Sequence, residues 1–494
     1  MAEDGGRDNV WTLIESGDVL AWERGELILR PCTDVLIRDG RIARIGESMS
    51  EPLPEDTVRI DARACIVAPG FVDLHCHVTD TPFTRGILED GGTRELGGSG
   101  LYEHLPAVRA AMEPEDEIVA AECGFEELLL SGVTTVVEMG YQTEVRSGGD
   151  LDVVAEIAEL AARLGIRLYI APRFKSGHWT YGAGSVGYEW YADDGRERFA
   201  DCVRFLDRVD GSHGGLVRAM LAPAQIDTCS AGLLRETASV SREREWPVEL
   251  HAGQSRHEFF EMLERHGCSG VTWLDRLGVL DRRFVVGHGL FLSHHSRVRH
   301  DEGADLETLA RAGAAVAHCP VVFGRRGIVF ESFDRYRAAG IRVGIGTDTF
   351  PQDMLNELRI GATLAKVVEG DQSAAAARDV FDAATVVGAE ILGRRDLGRI
   401  EVGARADLVI WRSATPGDAP VRDPIKSLIY GRRTGSAATV LVDGKVVVAD
   451  NRVTSAAPDA SSRLQGAAQR VWARIPEIDR LAPPSVRRGD VSST

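Results

Sequence analysis

The stretch that most constrains this chain is Ala68 to Val78, APGFVDLHCHV, an apolar run ending in two histidines one residue apart. On a β-strand alternate side chains share a face, so His75 and His77 point together and their imidazoles can converge on one metal ion. Cys76 points the other way. An isolated HxH is weak evidence, because core and surface histidines are commoner than ligands. Three further runs strengthen it. PVELHAGQ carries His251 near the end of an apolar strand, RFVVGHG carries His288, and VGIGTDTF carries Asp348. In a parallel α/β barrel the carboxyl ends of the strands build the active site. Imidazoles with one carboxylate suit a borderline divalent metal such as zinc or iron.

A chain of 494 residues holds one such barrel and a smaller accessory unit. Alternating strand and helix patterns place eight strands at Cys65–His75, Gly132–Met139, Arg167–Arg173, Leu216–Ala222, Val248–His251, Phe284–His288, Ala314–His318 and Arg342–Thr347. Helices are expected at Leu151–Leu164 and Gln372–Leu392. Outside this region the pattern changes to short hairpins. TDVLIRDGRIARIG turns at Asp39-Gly40, and TVLVDGKVVVADNRV turns at Asp443-Gly444. Neither half has enough strands for a core of its own, so together they are expected to form one small β-sandwich with the barrel inserted. The expected organisation is 1–67 and 396–455 as the two parts of the sandwich, 68–395 as the (β/α)8 barrel, and 456–494 as a helix (Ser461 to Arg474) with a flexible tail.

The net charge of −18 excludes a surface made for phosphate backbones. Eight cysteines without a CxxC, an unremarkable amino terminus and no membrane-length apolar run point to a reduced, cytoplasmic protein acting on a small molecule, without nucleic acid or membrane.

The PGFVDxHxH strand, the later His, His and Asp at strand ends and the returning ADLVIW strand resemble the amidohydrolase superfamily over nearly the whole chain. VDLHCHV, HAGQ, AHCP and GTDT with the following DML are most similar to the branch of cytosine, S-adenosylhomocysteine and guanine deaminases, atrazine chlorohydrolase and related triazine and phenylurea hydrolases. The resemblance implies a distorted TIM-type barrel and one divalent metal per subunit, held by His75, His77, His251 and Asp348. Zinc is the first choice, with iron, cobalt or manganese as alternatives. It also implies His288 over the metal-bound water, and a homodimer or homotetramer. A bridging lysine is absent from LVRAMLAPAQID, against a second metal, and Lys175 reads as a loop residue. Residue chemistry agrees: Asp348 can take the proton of the attacking water while His288 polarises or orients the substrate.

Two departures shape the substrate expectation. Deaminases of this branch carry a glutamate three residues after the third histidine, and this chain has Gln254, which moves no proton near neutral pH. PAQIDTCS puts Gln225 where relatives often have a histidine, and the polar HCPxSN becomes HCPVVF, placing Phe323 in an apolar wall. Arg325 and Arg326 read as solvated. His178 and Trp179, with Tyr181, sit in a Gly-rich loop that is a candidate substrate wall. His294, His295 and His300 read as a solvated loop, and Thr84 to Gly100 as a lid or a solvated insertion. The expected reaction is hydrolysis of a non-peptide C–N bond in a largely neutral amide, urea or carbamate. The alternative is deamination or dechlorination of a heteroaromatic ring, and a silent binding scaffold is the third reading.

Overall fold

A computed structural model describes residues 10–47, 49, 52–85, 100–103, 105–140, 151–182, 185–300, 303–412, 416–433 and 436–481. Most of the expected lid and the tail from 482 lie outside the described residues.

Both Asp-Gly pairs form the turns that their chemistry favours. Asp39 and Gly40 have φ of 49° and 75°, and Asp443 and Gly444 of 48° and 73°, the left-handed pair of a two-residue hairpin. They join Glu26–Arg38 to Arg41–Gly46 and Thr439–Val442 to Lys445–Ala449. The turns also meet, since a Cβ on Gly40 would stand 2.8 Å from the Asp443 carbonyl oxygen. Among the described residues, strands from both chain ends form one nine-stranded sheet. Cys65–Pro69 links the ends, pairing parallel with Trp11–Glu23 and antiparallel with Leu408–Arg412. Ile14, Val35, Val67, Leu408 and Leu441 are part of its separate apolar cluster.

The strand expected over Cys65–His75 is two strands. The first belongs to the sheet of the chain ends; the second, β1 (Phe71–Cys76), opens a parallel set. Gly70 stands between them, where a Cβ would lie 2.2 Å from Thr134 Oγ1. Both halves are apolar, so hydropathy hides the break.

β1 is followed by β2 (Val133–Glu138), β3 (Arg167–Ile170) and β4 (Val217–Ala219) in one four-stranded parallel sheet. β5 (Val248–Ala252), β6 (Phe284–His288), β7 (Ala315–His318) and β8 (Arg342–Ile345) form a second. Isolated bridges join Cys76 to Asp348 at one seam and Leu221 to Val248 at the other. All eight strands are almost wholly buried and rich in Val, Ile and Leu, the composition of parallel strands covered on both faces.

The expected helix Gln372–Leu392 is broken into Ala377–Ala383 and Val386–Ile391. Val72 N of β1 takes the Ala384 carbonyl, so the ladder stops there. The carboxyl-terminal helix Ala460–Leu481 packs Val471, Ala467 and Trp472 against helices Leu105–Ala111 and Pro114–Leu130. Its Trp472 indole also donates to the Phe83 carbonyl at 2.8 Å, in the turn that follows β1. Arg167 of β3, fully buried, is paired with Asp407 and Asp443 and so fixes the sheet of the chain ends to the parallel set.

Candidate active site

Main-chain hydrogen bonds between β1 and the segment after β8 create the site. His77 N donates to Asp348 O at 2.9 Å and Asp348 N to His75 O at 2.7 Å, which places the HxH pair beside the carboxylate. Only glycine fits at position 346, where a Cβ would stand 2.6 Å from that of His75. Asp348 and His288 adopt φ of 57° and 78°, costly for residues with side chains and a mark of functional sites.

His75, His77, His251, His288 and Asp348 are all buried. Ligand atoms of His75, His77 and His251 lie within 4.8 Å of one another, as do those of His75, His288, Cys319 and Asp348. Asp348 Oδ1 is 3.5 Å from His77 Nε2 and 3.8 Å from His75 Nε2. His288 lies 4.6 Å from His75, ring to ring. Burial, then the charge of neighbouring His75, holds His77, His251 and His288 well below the usual imidazole range, so all three are neutral at pH 7. Burial also pulls His75 down, but the carboxylates of Glu249, Asp348 and Asp73 together raise it and the net shift is upward. Burial raises Asp348 against the charges of His75, Arg326 and Arg325.

These donors fit a divalent cation. His75 Nδ1 is 2.6 Å from Glu249 Oε1 and His251 Nδ1 is 2.6 Å from the Ala224 carbonyl, which fixes each ring so that Nε2 is the ligand atom. His75 Nε2 is buried without a hydrogen-bond partner. His251 Nε2 faces His77 Nε2 across 3.2 Å. Glu249 escaped the sequence reading, although its place two residues before His251 on one strand puts it on the same face. Cys319 of the HCPVVF run, given no site role from sequence, stands with His75, His288 and Asp348; burial pushes its thiol well up, so it is a neutral neighbour. Arg173, almost fully buried, adds a positive charge felt at His77 and His251.

The expected substrate residues divide into two groups. Phe323 packs its ring edge-on 5.0 Å from His288. Gln225 forms a bridge with His251, and Gln254, just past β5, has a buried Nε2 with no acceptor. Trp179 lies on the hairpin Gly177–Gly182 with Ser185–Trp190. Its indole and the Tyr188 hydroxyl both donate to Asp227 Oδ2 at 2.8 Å. Tyr102 joins that aromatic cluster, 4.7 Å from Trp179 and 2.9 Å from Ser255 Oγ. His178 alternates to the other face, 3.5 Å from Glu189 and beside Tyr191, and is not on the Trp179 side.

Other expectations of solvation are corrected. Arg325 bonds the Phe350 carbonyl and Thr349 Oγ1 and stacks 4.4 Å over Phe350. Arg326 is only part-exposed and its charge is felt at Asp348 and His288. His295 is buried against Phe291. His318, expected and found at the end of β7, is stacked on Phe330, and burial pushes it down to about 3.

A sequence profile described as the Amidohydrolase family matches residues 66–447. The 5-methylthioadenosine/S-adenosylhomocysteine deaminase of Natronomonas pharaonis is 31 % identical over 398 residues, 80 % of this chain and 84 % of that protein. The enzyme of the same name from Thermococcus kodakarensis is 29 % identical over 440 residues, 88 % and 93 % of the two chains. Among solved structures, a zinc-bound adenosine deaminase from Xanthomonas campestris superposes with a TM-score of 0.77 at 22 % identity, covering 94 % of this chain and 98 % of its own. The zinc complex of atrazine chlorohydrolase from Arthrobacter aurescens TC1 gives 0.77 at 22 %, covering 92 % and 100 %. At that identity the superpositions establish the fold.

Proposed function

The chain belongs to the amidohydrolase family, hydrolases of C–N bonds other than peptide bonds, and on that premise we propose that it removes an amino group from a heteroaromatic ring. The observation that carries the ring over an acyl group is the 31 % identity, across 80 % of the chain, to a 5-methylthioadenosine/S-adenosylhomocysteine deaminase. The expected neutral amide, urea or carbamate therefore gives way to an aminopurine-type substrate. Phe323, packed against His288, puts an aromatic side chain beside the site, which suits a planar ring.

His75, His77, His251 and Asp348 would hold one divalent ion, zinc in the two solved relatives named above. When bound, such an ion supplies Lewis acidity and a water activated at neutral pH. Asp348 accepts a proton from the attacking water and returns it to the departing nitrogen, so that a C–O bond forms, the C–N bond breaks and ammonia leaves. His288, held neutral, orients the attacking oxygen. Gln254 cannot protonate the ring, but its Nε2 has no protein acceptor and can donate to an unprotonated ring nitrogen. Phe323 and Trp179 exclude water from the face of the ring.

The two four-stranded sheets read as halves of one distorted (β/α)8 barrel over 68–395. On the same reading, 1–67 and 396–455 are the two parts of a β-sandwich, and 456–494 is a helix and tail. A cytoplasmic homodimer or homotetramer completes the proposal. Among the described residues no helix is long and apolar enough to cross a membrane.

The test is a panel of aminopurine nucleosides, aminopyrimidines, chlorotriazines, aryl amides and aryl ureas, assayed with metal-loaded and chelator-treated protein. Metal-dependent release of ammonia from a ring supports the proposal. Release of an organic amine from an amide or urea contradicts it.

A further inference from the structure

Arg325 and Arg326 are neighbours on the turn that closes the short helix Pro320–Gly324, at the carboxyl end of β7. Their side chains have different fates. Arg325 is committed to the Thr349–Phe350 segment, with Nη2 2.5 Å from Thr349 Oγ1 and its guanidinium over the Phe350 ring. Arg326 uses only its backbone, donating from N to Phe323 O at 2.9 Å. Among the described residues its guanidinium has no hydrogen bond and no ion pair.

Its side chain is nevertheless part-buried. Its charge acts on His288, on Asp348 and on the Tyr102 hydroxyl, three groups contributed by separate parts of the chain. None of them neutralises it. Asp348 lies beyond ion-pair distance of Arg326 and turns its Oδ1 toward His77 and His75, while the Tyr102 hydroxyl is engaged with Ser255. Its part-exposed guanidinium is left for solvent or a ligand to satisfy, and a guanidinium presents a planar fork that matches a carboxylate or a phosphate. Arg326 also stands three residues from Phe323, whose ring abuts His288.

We propose that Arg326 receives an anionic substituent, carboxylate or phosphate, carried by the heteroaromatic substrate, and so sets the reactive ring carbon against His288 and Asp348. This rests on the ring reading above and replaces the expectation of a largely neutral compound. Specificity is then divided: Gln254 and the aromatic walls meet the ring, and Arg326 meets the far end of its substituent.

The experiment compares adenosine, adenosine 5′-carboxylate and adenosine 5′-monophosphate, which share ring and sugar and differ in the anion. Metal-loaded wild type, Arg326→Gln and Arg326→Lys are compared by kcat/KM for ammonia release and by calorimetric Kd. Wild type should prefer one anionic member over adenosine by about 10- to 100-fold, the range of one charge-assisted pair, and the preferred member identifies the anion. Arg326→Gln should erase that preference through KM and Kd, and Arg326→Lys should recover part of it. Equal preference for all three compounds in wild type overturns the proposal, as does a loss in Arg326→Gln that falls on kcat alike for neutral and anionic members. If none of the three releases ammonia, the ring reading fails on its own. The Kd series still decides Arg326: an anion preference erased in Arg326→Gln sustains it, and no such preference overturns it.

Discussion

His75 and Glu249 share a fully buried hydrogen bond, Nδ1 to Oε1, of 2.6 Å. The carboxylate fixes which ring nitrogen of His75 faces the other ligands, and it raises the basicity of that ring. Glu249→Ala should therefore weaken metal affinity by about 10- to 100-fold, measured by competition with a chromophoric chelator. Unchanged affinity would remove Glu249 from this role.

The same pair sets the pH dependence of metal binding. Against burial, Glu249 with Asp348 and Asp73 holds His75 above its ordinary value of 6.5, whereas His77 and His251 are held well below theirs. His75 and Asp348, raised from 6.5 and 3.8, must both be unprotonated to ligate, so affinity should rise with pH through the window above 6.5 in which His75 titrates and fall below it. Titrations in two buffers of different ionisation enthalpy should show proton release on metal binding at pH 6.5. Release that is larger at pH 9 than at pH 6.5 would contradict the assignment.

Gly346 allows β8 to pass against His75. A methyl group there would meet His75 Cβ at 2.6 Å and its backbone at 2.8 and 2.9 Å. Gly346→Ala should lower stability by about 1–3 kcal/mol and reduce the metal bound per chain. Thermal unfolding and metal analysis check both, and a fully loaded, equally stable variant would show that the contact is relieved cheaply.

Asp348 and Gln254 should separate by the size of their effects. Asp348→Asn is expected to abolish turnover while the circular dichroism spectrum is retained. Gln254→Ala should slow the reaction about tenfold, the cost of one hydrogen bond of ordinary strength. A fully active Asp348→Asn would overturn the mechanism, and a comparable loss in both variants would give Gln254 more than an orienting role.

The parts of this site readable from sequence were those with a periodic signature. His75 and His77 stand out because a two-residue period on an apolar strand leaves them nowhere else to point, and the Asp-Gly pairs specify their hairpins locally. Glu249 carries the same period with His251 but sits within a strand that reads as apolar throughout. The break at Gly70 depends on the approach of Thr134 from β2, and the split of the helix at Ala384 on a hydrogen bond from β1. Arg325 and Arg326 look alike in sequence. Only the arrival of Thr349 and Phe350 occupies one of them and leaves the guanidinium of the other without a protein partner among the described residues.

The most direct test of ring deamination is mass spectrometry of the product formed from an aminopurine nucleoside by the metal-loaded protein in 18O-labelled water. The account predicts one labelled oxygen on the ring in place of the amino nitrogen, with one ammonia released per turnover and an intact glycosidic bond. An unlabelled ring that keeps its amino group, with no ammonia released, would contradict it.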